Sequence, residues 1–189
     1  MVRPITFDHE VVSERAMQVF WDNGIKTSLK HIETGTGLNR SSLYNTFGNK
    51  EKIFELCMDR YMCFLSDGLA AHFSKNTFKN AITLLFDDAI NDNFNGRGCM
   101  FFNFLVHPDK LNKTSNRIID AAYKRLHAQF ELIIAEAQKN REINSVHTSA
   151  GYAAYLLTCL SGFRAFNMAG ISRVQLKLAS EVTLKTLIQ

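Results

Sequence analysis

Proline is nearly absent from this chain. Pro4 and Pro108 are the only two in 189 residues, so little in the sequence forbids long helices. Long polar or glycine-rich loops are also few, and an almost entirely helical protein is expected. No C-x-x-C pair occurs among the four cysteines, Cys57, Cys63, Cys99 and Cys159, and each sits in an apolar helical pattern. They read as buried, reduced thiols of a cytosolic protein. The N-terminal MVRPITFD lacks an apolar signal region, and the longest apolar stretches, 98–106 and 153–160, are too short to span a bilayer. A soluble cytoplasmic protein with no membrane association follows.

Catalytic signatures are missing too. The sequence holds no Ser-His-Asp spacing, no Walker loop and no dinucleotide fingerprint, so an enzyme is not expected. The six histidines form no metal constellation; His127 and Glu131 share a helix face at i, i+4, but two candidate ligands without a third read as a surface pair. No cofactor or metal is expected. Strong charge of one sign is lacking as well. The net charge is +4, and residues 1–66 carry eight Lys/Arg against eight Asp/Glu. Any case for nucleic acid must therefore rest on a local motif, not on bulk charge.

Such a motif is present at 27–52, TSLKHIETGTGLNRSSLYNTFGNKEK. Thr27 is placed to cap a short helix with Leu29 and Ile32 on one face, and Gly35 and Gly37 supply the permissive backbone to reverse direction. A second helix, 39–47, turns Leu43 and Phe47 inward and leaves Asn39, Arg40, Ser41, Ser42, Asn45 and Thr46 outward. Arg matches guanine, Asn matches adenine, and Ser and Thr serve bases or phosphates. Gly48 stops this helix and Asn49 can cap the next, whose unpaired N–H groups with Lys50 beside them make a phosphate site. The pattern is a helix-turn-helix.

These residues resemble the TetR family of bacterial one-component repressors. The match runs from Phe7-Asp8-His9-Glu10 through Ala16, Phe20-Trp21 and Gly24 to Thr27-Ser28, then Thr36-Gly37-Leu38-Asn39-Arg40-Ser41-Ser42-Leu43-Tyr44 and Phe47-Gly48-Asn49-Lys50-Glu51. It covers about the first third of the chain. Glu33, where many members carry a small Ala, and Gly35 within the second helix depart from the pattern. The resemblance implies phosphate contacts from Tyr44 and Lys50. With it, the expected DNA-contacting set is Thr27, Ser28, Asn39, Arg40, Ser41, Ser42, Tyr44, Asn45, Thr46 and Lys50.

Around this head, a first helix at 8–23 carries the apolar stripe Val12, Ala16, Val19 and Phe20, with Trp21 a further packing or partly exposed side chain. A helix after Gly48, running to about residue 72, links head and body. Ala81, Leu84, Leu85 and Ala89 mark another helix, ending at the polar turn 91–95. The run CMFFNFLV, 99–106, then reads as a helix buried on most sides at the heart of the body, with Pro108 just beyond it. A long helix at 114–140 and a final pair at 148–168 and 172–187, joined at Gly170, complete an all-α chain. The expected division is a DNA-binding domain at 1–48, a connecting helix at 49–72 and an effector-binding and dimerisation domain at 73–189.

Gly98-Cys99-Met100-Phe101-Phe102-Asn103 also resembles a Gly-Cys-x-x-x-Asn pattern in the regulatory domain of one TetR subgroup. The aromatics of the body, Phe78, Phe86, Phe94, Phe101, Phe102, Phe104 and Phe130, either fill a core or line a cavity. Composition favours core; the resemblance favours a cavity for a small, often apolar effector. Cys99, Phe102, Asn103 and Phe130 are the candidate pocket residues. Cys99 reads as a redox or electrophile sensor or, preferably, as a structural or pocket-lining thiol, since apolar surroundings make a thiol inert.

In the last helix pair, small residues permit close helix approach, and the family's habit of dimerising through its last two helices implies a homodimer. The interface candidates are Ala154, Leu157, Ser161, Gly162, Ala165, Leu176 and Leu184. The expected partners are therefore a palindromic double-stranded operator, a small-molecule effector and a second copy. Two alternatives remain, a cysteine-responsive DNA-binding regulator and an all-helical module that does not bind DNA.

Overall fold

The computed structural model describes residues 8–91 and 97–188. Phe94, Phe7 and positions 92–95 of the polar turn lie outside them. Among the described residues every regular element is helical.

Helix α1, His9–Asn23, starts where the Asp8 carboxylate accepts from the backbone N–H groups of Glu10 and Val11. Its stripe Val12, Ala16, Val19 and Phe20 is buried as the spacing predicts, joined by Met17 and Trp21. A 3-10 turn, Gly24–Lys26, leads to α2, Leu29–Thr36, and α3, Arg40–Phe47, which close the head. Helix α4, Lys50–Lys75, leaves the head and enters the body. There α5, Phe78–Asn91, and α6, Met100–Leu105, precede a second 3-10 turn, Pro108–Lys110. The long α7, Lys113–Lys139, then α8, Ser149–Met168, and α9, Arg173–Ile188, finish the chain.

Helix α7 packs between α4 and α8, and α5 lies on α8 and α9. One apolar cluster runs from Ile32 and Leu43 in the head through Phe54 and Tyr61 to Phe130 and Leu156 in the body. A salt bridge adds to the α1–α4 contact: Arg60 Nε donates to Glu14 at 2.7 Å and its Nη1 pairs with Glu10. The Arg60 guanidinium holds the Glu14 carboxyl below the usual carboxylate range, although partial burial pushes the other way.

Three expectations change. Gly35 is not part of the reversal; it lies inside α2, and Gly37 alone makes the turn, with φ +75°. Gly35 serves a close approach instead, since a Cβ there would stand 2.1 Å from Val19 Cγ2. The run 99–106 is not the heart of the body but a single short helix at the seam, packed on the turn after α1, on α4 and on α7. Gly98 at φ +63° before it and Pro108 after it limit its length. Leu84 faces solvent at 40% exposure, and Ile82, Phe86 and Ile90 take the inward face of α5.

Because Val19 is branched at Cβ and held in the core, it has little room to yield. Gly35→Ala is therefore expected to destabilise the fold by about 1–3 kcal/mol, despite the roughly 1 kcal/mol helix-propensity gain of Ala over Gly. Urea unfolding of Gly35→Ala, Val19→Ala and the double variant checks this. The double variant should lose much less than the sum of the singles, whereas additive losses would rule out the contact as the reason for the glycine.

Candidate DNA-reading head and effector cavity

The head is held by a series of caps. Thr27 does not cap α2: it is 3% exposed and its hydroxyl donates to Gly24 O at 2.7 Å. Ser28 takes that role, its Oγ accepting from His31 N while His31 Nδ1 accepts from Ser28 N. Thr27 thus faces the protein interior through its side chain, and its carbonyl accepts a hydrogen bond from Lys50 Nζ. Lys50 thereby ties the start of α4 to the entry of α2.

On α3, Asn39 Oδ1 accepts from Ser42 N at 2.8 Å, so this side chain caps the helix. Leu43 is fully buried. Arg40, Ser41 and Asn45 are exposed, and Ser42, Tyr44 and Thr46 are half-buried. The Arg40 guanidinium lies over the Tyr44 ring, 5.4 Å from its centroid, which braces both side chains on the outer face. Asn49 caps α4 by accepting from Lys52 N at 2.9 Å. The structure therefore brings Ser28, Arg40, Ser41, Ser42, Tyr44, Asn45 and Thr46 to accessible positions around α3. Asn39 is accessible with its oxygen already engaged, and Thr27 is turned inward.

A cavity of about 410 Å³ lies in the body, walled by α4, α5, α6, α7 and α8. Phe102 and Phe130 line it as expected, with Phe64, Phe101 and Leu157. Cys99 and Asn103 do not. Cys99 is 1% exposed at the start of α6, outside the cavity wall. Asn103 donates to Arg97 O at 2.7 Å, and its buried Oδ1 has no hydrogen-bond partner among the described residues. Phe78, Phe86 and Phe104 fill core. The sequence reading missed the polar wall of this cavity: Arg164 on α8, and His72 on α4 whose Nε2 stands 3.6 Å from Asp88 on α5. Only His72 carried a local signal, two helical repeats along α4 from Phe64.

The cysteines are less uniform than their pattern predicts, for Cys63 is exposed. Burial pushes the Cys57 thiol far above its ordinary range. Burial likewise raises the Tyr61 hydroxyl, with Cys99 beside it adding to the effect; its oxygen accepts from Met100 N at 3.2 Å. His127 and Glu131 lie 3.9 Å apart, and no third ligand joins them among the described residues.

The last two helices divide their expected interface residues. Leu157 and Leu176 are buried inside the protomer, Ala154, Ser161, Gly162 and Leu184 are half-buried, and Ala165 is exposed. A different apolar set stands outward on α9, with Val174 68%, Leu178 58% and Val182 65% exposed, and Phe166 at the end of α8 is exposed too. Their i, i+4 spacing is legible in the sequence, on the face opposite Leu176.

Residues 13–57 match the family model described as bacterial regulatory proteins, tetR family. The HTH-type transcriptional repressor ComR of Escherichia coli (strain K12) is 39% identical over 61 residues, which are 32% of this chain and 29% of ComR. The chain thus matches less than a third of that relative's length. The uncharacterised HTH-type transcriptional regulator YezE of Bacillus subtilis (strain 168) is 26% identical over 162 residues, 82% of this chain and 84% of YezE. Among solved structures, a cysteine mutant of the TetR family transcriptional regulator CifR, complexed with 26-bp double-strand operator DNA, superposes with TM-score 0.80 at 20% identity. It covers 98% of this chain and 99% of that one.

On α3 the cap residue Asn39 is engaged with the backbone, whereas Asn45 faces solvent. Asn39→Ala is expected to cost about 1 kcal/mol of stability through loss of the cap, and Asn45→Ala less than about 0.5 kcal/mol. Thermal or urea unfolding measures both. Equal losses would contradict this division of roles.

Proposed function

We propose that this chain is a DNA-binding transcriptional regulator of the TetR family of bacterial regulatory proteins, whose family model its residues 13–57 match, and that it is a cytoplasmic homodimeric repressor released from a palindromic operator by a small effector. The observation that carries the reading is the outer face of α3. Arg40, Ser41, Tyr44 and Asn45 present donors and acceptors on a helix whose backbone is fixed by caps at both ends. Arg40 reads a base or a phosphate, Tyr44 and the start of α4 at Lys50 hold phosphates, and Ser28 and Thr46 flank them. The division into a reading head at 1–48, a link at 49–72 and an effector and dimer domain at 73–189 puts its last boundary inside α4, which continues to Lys75.

Coupling between cavity and head runs through α6. Phe101, Phe102 and Leu105 line the cavity. Between them Phe104 packs on Phe54 and Phe20 of the head side, at centroid distances of 4.8 and 6.4 Å. A ligand that prefers a shifted α6 tilts the head with it. Moving the population from about 99:1 to 1:99 takes roughly 5.5 kcal/mol of differential affinity, which two binding events per dimer can supply.

The outward stripe Val174, Leu178 and Val182, together with the exposed Phe166 and Ala165 of α8, is the dimer face. A helix apolar on two sides needs two partners, and the protomer core covers one. A two-fold pairing there sets two α3 helices for successive major grooves, about 34–36 Å apart.

Selection of bound duplexes from a random pool at near-physiological salt tests the head. A two-fold palindrome is expected, with Arg40→Ala weakening binding by about 1–3 kcal/mol and Tyr44→Phe by about 0.5–1.5 kcal/mol. Recovery of no consensus, or equal binding by all three proteins, would remove α3 as the reader.

Light scattering tests the dimer face. Wild type should run at twice the 21.5 kDa chain mass. Leu178→Arg should run as a folded monomer and bind the selected duplex at least about tenfold more weakly; a Leu178→Arg dimer would displace the interface from α9.

A further inference from the structure

The polar groups of the cavity are not distributed evenly. Arg164 lies at the end nearest the head, since Met168, one helical turn further along α8, stands against Gly98, where a Cβ would meet its Sδ at 3.1 Å. His72 and Asp88 pair elsewhere on the wall. On α4 the lining residue nearest the head is Phe64, eight residues before His72, or roughly 12 Å along the helix axis. Between these ends the wall is aromatic and aliphatic, from Phe101, Phe102, Leu126 and Phe130.

The acidic side chain of the lining, Asp88, stands beside His72, whereas Arg164 makes no ion pair or hydrogen bond with the described residues. A guanidinium cannot lose its proton at physiological pH. A neutral apolar ligand filling this space would strip water from that cation and return nothing. A carboxylate returns a charge-assisted, planar pair of hydrogen bonds that suits Arg better than any other side chain.

We propose that the cavity takes an apolar monocarboxylate, aromatic or medium-chain aliphatic, with its carboxylate on Arg164 and its apolar body between the phenylalanines of α6 and α7. This rests on the cavity being the effector site. It deepens that reading by assigning Arg164 as the residue that selects acid over neutral ligand.

The test uses the full chain and four probes: 2-naphthoate, octanoate and their neutral primary amides, 2-naphthamide and octanamide. Binding is measured by calorimetry with wild type, Arg164→Gln and Arg164→Lys. At least one acid should bind wild type about tenfold or more tightly than its amide. Arg164→Gln should erase that gap by weakening the acid while leaving the amide unchanged, and Arg164→Lys should keep part of it. Amides binding wild type as tightly as the acids would overturn the carboxylate assignment and leave the effector cavity standing, as would a gap that survives in Arg164→Gln. If none of the four binds wild type, both the assignment and the effector reading of this cavity fall. The comparison of acid with amide on wild type alone decides the point even if a variant does not fold.

Discussion

Everything in this protein depends on α4 being one unbroken helix. It runs for 26 residues from a cap at Asn49, buries Ile53, Phe54 and Cys57 at its head end, and lines the cavity with Phe64, Leu65, Leu69 and His72 further on. An unbroken ladder of backbone hydrogen bonds does not bend cheaply. From Lys50 to Phe64 is fourteen residues, about 21 Å of rigid rod. Its head end and its cavity wall therefore share one axis. Lys50 makes that connection tight, because its ammonium holds the Thr27 carbonyl at the entry to α2.

The seam between head and body is unusually polar for its depth. Trp21 Nε1 donates to Gly98 O at 3.0 Å, Tyr61 accepts from Met100 N at 3.2 Å, and the Arg97 guanidinium stacks over Trp21 at 4.1 Å while donating to Gln18 at 2.6 Å. Each such bond adds only about 1 kcal/mol net, but leaving any of these buried groups unpaired costs more. Their effect is to hold the short α6 in one register against the head, with Phe104 seated beside Phe20 and Phe54. A six-residue helix has little stability of its own. Its position is set by these tertiary bonds.

Helix α9 carries two apolar faces with different fates. Leu176, Thr183 and Leu187 sit in the protomer core, and Val174, Leu178 and Val182 stand in solvent. The two sets interleave along the helix, so a count of apolar residues cannot separate them; only the position of α5 and α8 does. The same holds for α8, where Leu157 turns to the cavity and Ala165 to the outside.

What the sequence by itself determined is local. The helix starts at Asp8, Asn39 and Asn49, the stops at Gly24, Gly37 and Gly48, the stripe of α1 and the outward face of α3 all follow from side chains within four residues of one another, and short-range hydrogen bonds and helical periodicity suffice to read them. Thr27 and Ser28 mark the limit of that reading, since both can cap and the Thr27 hydroxyl turns back to Gly24 O while Ser28 pairs with His31. The close contact of Gly35 with Val19, the placing of Arg164 on the cavity wall, the withdrawal of Cys99 and Asn103 from that cavity and the inward turn of Leu176 were decided only by the tertiary structure. Each depends on a partner on another helix, and no periodicity along one strand of chain encodes which face a distant helix will cover.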